Sequence, residues 1–106
     1  MLVTTTNTIE GHRITNYYGI VTGEAIIGTN IVRDMLASIS DVIGGRSSVY
    51  EEKLSQARQI AIDEMCTQAS SMGANGVIGV DLDYEVIREG MMMVTACGTA
   101  IYEEKI

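Results

Sequence analysis

The chain reads as an α+β protein, a helical layer on a mostly antiparallel sheet. Three observations predict this class. A long segment rich in β-branched and aromatic residues comes first. Two stretches with apolar residues at helical spacing follow, and two alternating runs joined by a short Gly-containing loop close the sequence. At 106 residues the chain is near the commonest size of a single domain and can bury a core without disulfide or metal staples. Residues 1–106 are therefore read as one domain.

A short strand is expected at Leu2 to Thr5, followed by a long one over 13–27, RITNYYGIVTGEAII. Its alternation sets Tyr17, Gly19, Val21, Gly23 and Ala25 on one face and Tyr18, Ile20, Thr22, Glu24 and Ile26 on the other. The first face is small enough for a helix to approach closely. Asn30 is suited to cap a helix carrying Ile31, Met35, Ile39 and Val42 or Ile43 on one side until Gly44. Ser48 and Glu51 form a capping box for a second, longer helix that runs to Met72 before Gly73. Its stripe is Tyr50, Leu54, Ala57, Ala61, Met65, Ala69 and Met72, with Ile62 and Cys66 on its flank and Arg58 inside its edge.

The next segment, GANGVIGVDLDYEV, alternates with a period of two: Ile78, Val80, Leu82, Tyr84 and Val86 face one way, and Asp81, Asp83 and Glu85 the other. Arg88, Glu89 and Gly90 form a three-residue hairpin loop to a last strand, Met91 to Glu103. This register pairs Ile87 with Met91, Asp81 with Cys97, Asp83 with Thr95 and Glu85 with Met93. Val80, Leu82, Tyr84 and Val86 then meet Gly98, Ala96, Val94 and Met92 on an apolar face. A right-handed connection that leaves a gap would place the last strand between the two other long ones.

Composition excludes several functions. Seven Lys and Arg against fourteen Asp and Glu give a formal charge of −7, which disfavours nucleic acid and anionic lipid as partners. No apolar run approaches the ~20 residues that span a bilayer, and the N-terminus lacks a basic segment followed by an apolar one. Cys66 and Cys97 form neither a disulfide framework nor a zinc knuckle. A soluble cytoplasmic protein without membrane or nucleic-acid partners is expected. With His12 as the sole imidazole, in a turn, and no G-x-S-x-G elbow, nucleophilic catalysis has no visible machinery, and the chain reads as a non-enzyme.

Two groups of residues remain as candidate sites. Gly44, Gly45, Arg46 and Ser47 can present backbone N–H groups and a guanidinium to a phosphate or carboxylate; the same residues serve equally to end one helix and start the next. On the acidic sheet face, Asp81 opposite Cys97 and Asp83 opposite Thr95, with Glu24 from the first long strand, could hold a divalent or soft metal ion across strands. The plain alternative is a face that meets water or a neighbouring subunit. Met91 and Met93 share this face while Met92 points to the core. Arg58, and Arg33 with Asp34, need a charge partner in another subunit or a route to solvent. Tyr18, Ile20, Ile26, Met91, Met93 and Ile101 together predict self-association, since a monomer would expose them side by side.

The segments YYGIVTGEAIIGTNIVRD, DVIGGRSSVYEE, GANGVIGVDLDYE and MVTACGTA closely resemble the YbjQ-like family, small bacterial and archaeal proteins of unknown function to which heavy-metal binding has been ascribed. The likeness spans nearly the whole chain. It implies a β-α-β-β subunit of dodecin-like type with the last strand central, assembled into a ring of five, and brings no catalytic mechanism with it. The sequence alone supports a ring-forming cytosolic protein binding a metal ion or small ligand at subunit interfaces, against an interaction module without a ligand or an enzyme completed between subunits.

Overall fold

In the computed structural model, residues 1–28, 48–88 and 90–106 are described. Strand β1 (Leu2–Val3) is followed by β2 (His12–Ile27), helix α1 (Ser48–Ser71), β3 (Gly76–Arg88) and β4 (Met91–Lys105). The strands form one mixed sheet in the order β1-β3-β4-β2. Among the described strands only the short β1–β3 pair is parallel. The last strand is thus central, as the crossover argument expects. The expected helix over Asn30 to Ile43, the Gly44–Ser47 loop, and Arg33 with Asp34 lie outside the described residues.

Helix α1 packs chiefly on β2 and β4 and only lightly on β3. Ala57, Ala61, Met65 and Ala69, four residues of the predicted stripe, are buried there, against Val21, Ala25 and Ile27 of β2 and Val94, Ala96 and Ala100 of β4. Small residues on both elements let the helix lie close to the sheet. At Gly23 the approach is extreme: a Cβ built there would fall 1.9 Å from the carbonyl oxygen of Ala61 and 2.6 Å from the nitrogen of Met65. The small face read from the sequence is the face the helix occupies. Arg58, at the stripe's edge, reaches the Tyr84 hydroxyl of β3 at 3.2 Å. It finds a neutral partner within its own chain.

Three expectations are corrected, all through irregular strand pairing. First, β2 shifts register between Tyr17 and Gly19, where Gly19 has φ of 109°. The extra residue turns Tyr17 to the face opposite the helix and lets Tyr18 pack against the core, the reverse of strict alternation. Second, β3 shifts between Ile78 and Asp81, with Gly79 at φ of 60°. Val77, opposite Ala100, takes the core position, and Ile78, opposite Thr99, joins the phase of Asp81. Third, a shift between Val86 and Arg88 pairs Arg88, not Ile87, with Met91. His12 also departs from expectation, opening β2 instead of lying in a turn. Between Asp81 and Val86 the predicted hairpin register holds residue for residue.

Candidate functional site on the open sheet face

The face away from α1 is built from cross-strand rows. Thr22 of β2, Cys97 of β4 and Asp81 of β3 form one row; Glu24, Thr95 and Asp83 the next; Ile26, Met93 and Glu85 the third. Each row follows from the two-residue period: once Gly19 and Gly79 have set the phase, every second residue down each strand must lie on this face. Ile20, Tyr17 and Ile26 are 75%, 68% and 56% exposed, so the face is both acidic and apolar. Cys97, Thr95 and Met93 on the central strand are half-buried between the acids.

The structure brings together some of the candidate residues. Asp81 lies opposite Cys97, as expected. Asp81 and Asp83 lie two residues apart along the strand on this face. A hydrogen bond with the Asp81 side chain, the Asp81 charge, slight desolvation and the Glu85 charge together push the Asp83 carboxyl up from its ordinary value. Asp83 therefore keeps its proton to higher pH than an ordinary aspartate does. Glu24 stays apart: it is two strands from Asp83, roughly 10 Å at normal strand spacing, with Thr95 between. Among the described residues no three His, Cys, Asp or Glu side chains come close enough to hold a metal ion. The described donors of this face do not by themselves make a complete metal site.

Other reactive groups lie elsewhere. Burial, aided by the charge of Asp63, pushes the Cys66 thiol up, which favours the protonated thiol where it packs against the core. His12 bonds through Nδ1 to Glu103. The main chain of Glu103 is in turn clamped by the Asn75 side chain, which donates to its carbonyl at 2.9 Å and accepts from its N–H at 2.8 Å. Sequence reasoning missed this cluster because its members are 28 and 91 residues apart and only the sheet joins them. The Gly44–Ser47 anion loop lies outside the described residues.

Residues 1–104 match the sequence model of a family described as "Putative heavy-metal-binding". The chain belongs to the YbjQ-like family. Its relatives include a UPF0145 protein of Geobacillus kaustophilus, 63% identical over 101 residues that cover 95% of this chain and 96% of that one. Another, from Carboxydothermus hydrogenoformans, is 56% identical over 104 residues, covering 98% and 97%. These names denote an uncharacterised family. A solved structure of a protein of unknown function of the DUF74 family, from Pediococcus pentosaceus, superposes with a TM-score of 0.62 at 17% identity, covering 98% of each chain. That likeness shows a shared fold and nothing finer. Among the described residues, no helix of this member is long and apolar enough to cross a membrane.

Proposed function

We propose that this chain is a self-assembling, non-enzymatic cytoplasmic protein whose open sheet face is closed by copies of itself in a ring, most simply of five, and binds a cation or small ligand where copies meet. The observation that carries this reading is the exposure of Ile20, Tyr17 and Ile26 beside Met93 and the acidic rows. A face of that composition loses apolar area to water in a monomer, and burying it is favourable at about 25 cal/mol per Å². A ring interface joins two different patches, so the donors of one face can be completed by those of the next copy. Asp81, Asp83 and Cys97 would then supply part of a donor set and a neighbouring copy the rest, which suits the incomplete set among the described residues. The family's description as heavy-metal-binding adds support. Anion capture by Gly44, Gly45, Arg46 and Ser47 belongs to the same reading as a second interface site.

Calorimetric titration of zinc, copper and cadmium into wild-type, Asp81→Asn and Cys97→Ser proteins, with mass measured in parallel, tests the ligand. Stoichiometric binding lost in both variants while the assembly persists is the expected result. Assembly without binding tighter than millimolar would leave an interaction module without a metal.

A further inference from the structure

Strand β2 forms one rim of the sheet: among the described residues its sheet partner is β4 alone. A strand in that position directs N–H and C=O groups outward at every second residue and offers them to any extended chain. Thr22 is one of the alternating exposed residues between Ile20 and Ile26. Its N–H is donated to Gln68 Oε1 of α1 at 2.8 Å. The helix can reach the rim because its backbone rests on Gly23, where Ala61 and Met65 leave no room for a Cβ. Gln68 lies one turn beyond Met65 and is carried over the neighbouring residue of the strand.

We propose that Gln68 is an autoinhibitory guard that keeps β2 from pairing, edge to edge, with β2 of a second copy. An added strand must accept the outward N–H groups in sequence, and the Thr22 group is already occupied. Charge selects the occupant. Antiparallel pairing of two β2 strands about Thr22 sets Ile20 of each copy opposite Glu24 of the other, so the two acids stay apart. Pairing with β3 of another copy would instead set Glu24 beside the strand carrying Asp81, Asp83 and Glu85. The β2 pairing also continues the apolar strip of Tyr17, Ile20 and Ile26 across two copies. It uses the rim of the sheet and not its open face, so it stands whether or not that face mediates ring assembly.

Amide exchange at Thr22 and native mass spectrometry test the guard. Gln68→Ala keeps a good helix former at an exposed position, so the fold is retained. At a concentration low enough to keep copies apart it should lower protection of the Thr22 amide about tenfold, the scale of one lost hydrogen bond, and at higher concentration it should add a species of twice the wild-type assembly mass. Gln68→Glu, which keeps an acceptor, should retain the wild-type values of both. Thr22→Pro added to Gln68→Ala removes the N–H itself at an edge position that tolerates proline, and should abolish the doubled species. An unchanged Thr22 amide in the undoubled Gln68→Ala protein, lost protection there with no doubled species at any concentration, or a doubled species that survives Thr22→Pro would each overturn the proposal.

Discussion

Gly23 shows how much a single residue can set. Its missing Cβ is the space in which the backbone of α1 sits, with main-chain atoms on the other side that cannot rotate away. Gly23→Ala should cost about 3 kcal/mol, at the upper end of overpacking effects, read as a lowered urea midpoint. Gly28→Ala, where nothing lies within 4 Å of the added methyl, should stay within about 0.5 kcal/mol of wild type. Asp83 makes a different prediction. Its folded-state carboxyl is pushed up, first by the hydrogen bond with Asp81, so the folded state binds a proton more tightly than the unfolded chain. Stability from this proton on Asp83 is therefore present below the unfolded value of about 3.9 and is lost as pH rises through the folded value. Asp83→Asn should flatten this part of the pH dependence of the urea midpoint, and a carboxyl NMR titration of wild type should place Asp83 above an ordinary aspartate.

At the level of elements, the strands, the second helix and the central place of the last strand were legible because each depends on a local period or on connection length. The faces were only partly legible. From Asp81 to Val86 pairing follows strict alternation, and the register read from the sequence is the register observed. At Tyr17–Gly19 and Ile78–Asp81 an extra residue reverses the phase, and strict alternation misplaces Tyr17, Tyr18 and Ile78. A glycine inside a strand was the available signal, since Gly19 and Gly79 both adopt positive φ at these shifts. The bulge in β3 is further held from the N-terminus: Gly79 donates to the Thr6 carbonyl at 2.9 Å and Val80 to that of Thr4 at 3.1 Å. Gly79→Ala should cost about 1–2 kcal/mol through its left-handed backbone alone, because an added Cβ there meets nothing within 4 Å. Chemical denaturation checks the cost, and retained protection of the Gly79 and Val80 amides would show that the bulge survives.

For the whole molecule, the site was less legible than the fold because its parts come from three strands and, on the reading proposed here, from more than one copy. The sequence places Asp81 opposite Cys97 and Asp83 opposite Thr95. It does not reveal how Asp81 acts on the Asp83 carboxyl, which depends on side-chain rotamers, or the distance of Glu24, which depends on strand order. What unites the face is its mixture of exposed Ile20, Tyr17 and Ile26 with carboxylates, a composition suited to an interface between copies. Native mass spectrometry of untagged wild-type and Ile20→Asp proteins at micromolar concentration tests this most directly. A closed homo-oligomer in the wild type, five subunits on the ring reading, that shifts toward monomer in Ile20→Asp is the predicted result; a wild-type monomer would contradict it.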